Sequence, residues 1–105
     1  NHTRTFCYIE DAINMTMQIA INSNTLNKVL NLGAEGPEIK MCDLAKKIIK
    51  LAKKKLNIIA EEDHPGSPKR RCPDMQHTLK NINYNYQIGL DIGLRKTFDW
   101  YINRT

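Results

Sequence analysis

A chain of 105 residues is long enough for one domain with a single modest core and too short for two comfortable ones. Its 41% hydrophobic and 26% charged residues are the balance of an ordinary soluble globular chain, and no apolar run is long enough to span a bilayer. The formal net charge of +5 favours phosphate-bearing partners, from nucleotides to nucleic acid to anionic lipid, without choosing among them.

The chain opens Asn1-His2-Thr3-Arg4, without a methionine or a signal-peptide pattern, which suggests a piece of something longer. Residues Thr3 to Ile9 are rich in β-branched and aromatic side chains and predict a short strand carrying Arg4. From Glu10 to about Asn22 the apolar residues Ile9, Ala12, Ile13, Met17 and Ala20 keep helical spacing, widened by Met15, Ile19 and Ile21, and predict a well-buried helix. Glu10 and Asp11 fall in its first turn, where the helix dipole favours negative charge. After a polar break, Lys28 to Leu32 predicts a second strand, closed by the Gly33-Ala34-Glu35-Gly36-Pro37 turn.

Lys40 to Leu56 is the clearest helix. Met41, Leu44, Ala45, Ile48, Leu51 and Ala52 form one stripe, and Lys46, Lys47, Lys50, Lys53, Lys54 and Lys55 fill the other side. A lysine face of this kind reads either as a solvated surface or as a membrane-surface or nucleic-acid element. Asn57 to Glu62 predicts a third strand. A loop then leads to Pro68-Lys69-Arg70-Arg71-Cys72-Pro73-Asp74, followed by a short helix to about Ile82 and a last helix from Gly89 or Leu90 to about Asn103, with Leu90, Leu94, Phe98 and Tyr101 or Ile102 on its buried edge. The fold class expected is α/β, a small mixed domain of short strands flanked by about four helices.

Chemistry concentrates between Pro68 and Asp74. Two prolines stiffen the loop, and an arginine held on it can offer a planar fork of donors to a phosphate or carboxylate. Lys69, Arg70 and Arg71 form the cationic run, and Asp74 is an acceptor, as for sugar hydroxyls, a partner for one of the arginines, or the cap of the following helix. Cys7, Cys42 and Cys72 are widely spaced with no Cys-x-x-Cys, which argues against a disulfide framework and a zinc knuckle, and for free thiols in a reducing compartment such as the cytoplasm. The histidines, His2, His64 and His77, have no ligand spacing.

Several strings, in order and over nearly the whole chain, resemble one family. Arg4-Thr5-Phe6-Cys7-Tyr8-Ile9-Glu10-Asp11-Ala12 is similar to the "TRxFxYVxDA" segment of the extended short-chain dehydrogenase/reductases, the nucleotide-sugar epimerases and dehydratases. Leu30-Asn31-Leu32-Gly33 resembles their "YNLG" strand, Glu38-Ile39 with Leu44-Ala45 their "EIsixeLA" helix start, Arg71-Cys72-Pro73-Asp74 their "xRRPD" loop, and Leu90-Asp91, Gly93-Leu94, Thr97 and Trp100-Tyr101 their closing "LxeGLxxTxxWY". Lys40, Ile92 and the His77-Thr78 pair depart from the pattern.

The resemblance implies a C-terminal nucleotide-sugar-binding domain over residues 1–105, a cap on a Rossmann domain of the same parent chain. In it Arg4 and Arg71 would hold the substrate diphosphate, with Asp74 beside the ribose and Arg70 as the substitute. The parent would be an NAD-dependent nucleotide-sugar epimerase or dehydratase, a homodimer through its Rossmann part. This chain alone would bind no NAD and be inactive, because it has no Gly-x-x-Gly-x-x-Gly and no Tyr-x-x-x-Lys. The rival class is a non-enzymatic basic module that binds nucleic acid or another polyanion through the lysine helix and the arginine loop.

Overall fold

The structure, a computed structural model, describes residues 2–104. In chain order it has strand β1 (Thr3–Arg4), helix α1 (Ile9–Ile21), a 3-10 turn (Ser23–Thr25), β2 (Ile39–Lys40), α2 (Met41–Ala52), β3 (Arg70–Arg71), α3 (Gln76–Asn81) and α4 (Leu90–Ile102). The mixed α/β class and the four helices are as expected; of the three expected strands only the first appears, shortened, and the other two strands form elsewhere.

The sheet has the order β2-β1-β3, with β1 antiparallel to β2 and parallel to β3. Each ladder is two residues long. The strand expected over Thr3 to Ile9 therefore shrinks to Thr3–Arg4. Those expected at Lys28 to Leu32 and Asn57 to Glu62 form no strand, because no described segment runs beside them to complete a ladder; strand propensity counts only when a neighbour is there to pair. Val29 is 95% exposed and Ile59 82%. Conversely, Arg70–Arg71 is a strand and not merely a stiff loop. Thr3 N donates to Lys69 O at 2.9 Å, and Pro68 and Pro73, which cannot donate, bracket the pairing.

The helices begin within two residues of expectation. α2 stops at Ala52 instead of Leu56: Lys53 turns into the left-handed region, with φ 54° and ψ 37°, and donates its N–H back to Lys50 O. A lysine run that stacks like charge on Lys46, Lys47 and Lys50 gives little reason to continue. α1 buries a different edge from the one its apolar spacing suggested. Met15 and Asp11 face inward, while Ile9, Ile13 and Met17 are more than half exposed. Met75, outside any apolar stripe, joins Met15 and Ile82 in the core, with Cys7, Ile19, Leu79, Tyr84 and Tyr86 packed around them. On α4, Tyr101 and Ile102 lie on the exposed side, and Gly93 is the closely packed position, where a Cβ would come within 3.2 Å of the Tyr8 ring.

α2 packs on α4, tied by Lys47 Nζ to Asp91 Oδ1 at 2.7 Å. The loop after α2 returns through a Pro65-Gly66 turn, in which Gly66 supplies the positive φ of 84° that such a turn requires. His2 holds this loop through Asp63 at 3.1 Å. The radius of gyration is 16.3 Å; a compact chain of this length would have about 13 Å. The excess comes with an extended outline of 50 × 35 × 21 Å and many large apolar side chains left at the surface.

Candidate functional site

The parallel register of β1 and β3 sets Thr3 opposite Arg70 and Arg4 opposite Arg71. Side chains alternate between the faces of a strand, and residues in register share a face. The sheet thus sorts its four central side chains into two pairs, Thr3 with Arg70 and Arg4 with Arg71.

On the first face lies Glu38. Arg70 Nε and Nη2 donate to its two carboxylate oxygens at 2.8 Å each, and Thr3 Oγ1 donates to Oε1 at 3.2 Å. The hydrogen bonds from Arg70 hold the Glu38 carboxyl below its usual range, and Glu38 in turn raises Arg70. Arg70 is paired with Glu38 there, and its register sets it on the face of the sheet opposite Arg71.

On the other face Arg4 and Arg71 line an open depression of about 400 Å³, with Thr5, Cys7, Leu32, Gly33, Ala34, Cys72 and Pro73. Among the described residues none that lines it is acidic. Arg4 is half-buried and braced, its Nη1 donating to Thr3 O at 2.8 Å and its Nη2 to Pro68 O at 2.9 Å. Each of those nitrogens carries a second N–H, and Nε a further one, so donors remain. The Arg71 side chain is exposed and makes no hydrogen bond or ion pair among the described residues. The pocket therefore holds two cations, one fixed and one free to close, with nothing of opposite charge in its wall. A bidentate anion between them satisfies both forks.

Asp74 lies just past the Pro73 wall and outside the pocket lining. Its Oδ1 accepts from Gln76 N at 3.0 Å, an Asx turn leading into α3, and its backbone oxygen accepts from Asn31 Nδ2 at 3.0 Å. Its Oδ2 has no partner among the described residues. The capping role anticipated for Asp74 is present in this form, displaced by one residue, since Met75 occupies the cap position.

The pocket wall opposite the arginines comes from Leu32, Gly33 and Ala34, the end of the stretch expected as a second strand and the start of the turn after it. Gly33 is tightly packed: a Cβ there would sit 3.0 Å from Pro73 Cγ, and the proline ring would have to give. Thr78 Oγ1 donates to Asn31 O at 2.6 Å and Tyr86 Oη to Gly33 O at 2.6 Å. Cys7 and Cys72 meet in the same pocket from distant segments. Burial pushes the Cys7 thiol up, as does the charge of Asp11, so it stays protonated. All three cysteines are free. Among the described residues no His, Cys, Asp and Glu cluster could hold a metal ion, and no helix is long and apolar enough to cross a membrane.

No protein-family model matches the chain. UDP-glucuronic acid decarboxylase 6 of Arabidopsis thaliana is 29% identical over 92 residues, which is 88% of this chain and 26% of that protein. UDP-glucuronic acid decarboxylase 5 of the same plant is 28% identical over the same shares. The chain thus spans about a quarter of the length of the curated relatives it matches. Among solved structures, the epimerase Mth375 of Methanothermobacter thermautotrophicus superposes with a TM-score of 0.91 at 19% identity, over 98% of this chain and 31% of that one. The UDP-glucuronic acid 4-epimerase of Bacillus cereus, in complex with UDP-glucuronic acid and NAD, gives 0.88 at 24% identity, over 99% and 33%. The four helices and small three-stranded sheet match the C-terminal part of the epimerase fold. The family resemblance drawn from the sequence is borne out: the relatives are UDP-glucuronic acid decarboxylases and the structural neighbours are epimerases.

Proposed function

We propose that this chain is the nucleotide-sugar-binding, C-terminal part of an NAD-dependent nucleotide-sugar epimerase, dehydratase or decarboxylase, and that Arg4 and Arg71 hold the substrate diphosphate. The observation that carries this reading is the in-register pairing of the two arginines on adjacent parallel strands, over a pocket with no acid in its wall. Two guanidinium groups side by side repel each other until an anion bridges them. Each charge-assisted hydrogen bond to that anion contributes about 1.5–3 kcal/mol. Asp74, with Oδ2 free at the pocket edge, takes the ligand's sugar hydroxyl. Arg70 acts indirectly, keeping β3 aligned through Glu38.

In this reading the chain binds and orients; it does none of the hydride chemistry. The described residues do not fit NAD. Gly33 and Gly36 lead into Pro37 and β2, not into a helix N-terminus that could receive a dinucleotide pyrophosphate. The cofactor belongs to the remainder of the parent protein. Support for such a remainder comes from the exposed apolar side chains Val29, Ile59 and Trp100, and from the length of the relatives, three to four times that of this chain. UDP is the leading nucleotide, because the decarboxylases and the Bacillus cereus epimerase are named for UDP sugars.

The test is a two-dimensional NMR titration with UDP, GDP, CDP and TDP, with inorganic pyrophosphate as control. Saturable shifts centred on Arg4 and on residues 71–74, strongest for one base, support the reading. Shifts confined to the lysines of α2, equal for every anion and erased by modest salt, would replace it with nonspecific polyanion attraction.

A further inference from the structure

Among the described residues Asp11 is the one acidic side chain driven fully inside the molecule, at 1% exposure. It sits in the first turn of α1, yet its carboxylate is spent on a segment more than seventy residues away. Oδ1 accepts from the Tyr84 hydroxyl and from Gln87 N at 2.9 Å, and Oδ2 accepts from Ile88 N at 3.0 Å. These three donors belong to the irregular stretch between α3 and α4, which has no ladder or helix of its own to fix it. Within that stretch Tyr84 and Tyr86 pack edge to face, with centroids 5.9 Å apart. Tyr86 then reaches out of the stretch and donates its hydroxyl to Gly33 O, on the wall facing Arg4 and Arg71. Gly33 rests against Pro73, the second residue after Arg71.

We infer that Asp11 is a positioning residue for the anion pocket: by fixing the 84–88 segment it sets, through Tyr86, the place of the Gly33 wall relative to Arg71. The chemistry of the carboxylate makes the role specific. Two acceptor oxygens serve three donors, and an amide in the same place has one acceptor and an NH2 that faces a backbone N–H. An asparagine would therefore leave at least one of the buried donors of the 84–88 segment without a partner. The inference rests on the diphosphate reading only for its ligand; the mechanical linkage stands on the hydrogen bonds alone.

The test uses the 105-residue chain as wild type, Asp11→Asn and Tyr86→Phe. Without ligand, amide shifts and hydrogen exchange are read at Gly33, Ala34 and Cys72, with α2 and α4 as internal references. The expected result is that both variants speed exchange at these pocket amides about tenfold and shift their resonances, Asp11→Asn also releasing Gln87 and Ile88, while α2 and α4 are unmoved. Changes confined to 84–88, or spread evenly over α2 and α4, would overturn the inference. If Asp11→Asn does not fold, Tyr86→Phe decides alone, since it cuts only the last link. In a UDP titration both variants should raise Kd about tenfold with the salt dependence unchanged, because no charge contact to the ligand is lost. Failure of the wild type to bind UDP would refute the diphosphate reading and leave the ligand-free comparison to decide the role of Asp11.

Discussion

Replacing Arg71 by alanine separates the proposed clamp from a general attraction to positive charge. Arg71 is exposed and unpaired among the described residues, so its removal should leave folding stability within about 0.5 kcal/mol of wild type. The effect on ligand is another matter. In a pocket without acids, the lost charge-assisted bonds to a diphosphate are worth about 1.5–3 kcal/mol, and every 1.4 kcal/mol is roughly a factor of ten, so UDP should bind about 10- to 100-fold more weakly. Arg71→Lys keeps the charge and loses the planar fork, and should fall between. Arg70→Ala removes the same charge one residue away, from the opposite face and out of the Glu38 pair, and should change affinity by about twofold or less. Isothermal titration of UDP into the three variants at low salt gives the comparison. Equal losses for Arg70→Ala and Arg71→Ala would refute the face assignment, and no loss for Arg71→Ala would refute the clamp.

Four more outcomes follow from the packing and the titrations. Met15→Ala empties the centre of the core and should cost about 2–5 kcal/mol, read as a lowered urea midpoint. Gly33→Ala drives a Cβ to 3.0 Å from Pro73 Cγ; overpacking of this kind costs about 1–3 kcal/mol and should weaken UDP binding along with stability in parallel urea and titration measurements. Burial alone would raise the Asp11 carboxyl, but the bonds from Tyr84, Gln87 and Ile88 prevail and lower it, so the unfolded chain takes up this proton first. Its contribution to stability is thus complete above the ordinary aspartate range near pH 4 and is lost as pH falls through and below it, a slope that Asp11→Asn should flatten in urea melts across pH 3 to 6. Tyr84 shows the opposite sign. Burial and the Asp11 bond push it up to about 12, so its contribution persists to pH 10 and disappears toward 12, and ultraviolet titration should find a late-ionising tyrosine that Tyr84→Phe removes.

The helices were legible because their apolar spacing and their ends are local properties. α4 begins after Gly89, as its sequence indicates, and α2 follows its stripe until the lysine run. The sheet was not legible, because its ladders are two residues long and join segments far apart in the chain; no alternation can be read from two residues. Half of the candidate site has a counterpart in the sequence reading. Arg4 and Arg71 came from the resemblance, but residue types alone cannot say which of two adjacent arginines faces a pocket, and that is a matter of register. Asp11 was hidden by a plausible local role in the first turn of a helix, whereas its partners come from residues 84–88. A buried acid on an otherwise apolar edge, beside Met15, was the available signal.

The pairing of β1 with β3 closes a loop of 67 residues (71 − 4) with a ladder of only two, helped by the Arg4 bond to Pro68 O and the pairing of His2 with Asp63. Closing a loop of that length costs roughly 4 kcal/mol of chain entropy, far more than so short a ladder returns by itself. An anion gripped by both arginines is consequently a cross-link between the two ends of the loop, and its binding energy is spent partly on keeping that loop shut. The tighter the grip, the slower the segment from β1 to β3 should open. Protection of the Thr3 amide, which donates to Lys69, would then report ligand occupancy without any probe on the ligand itself.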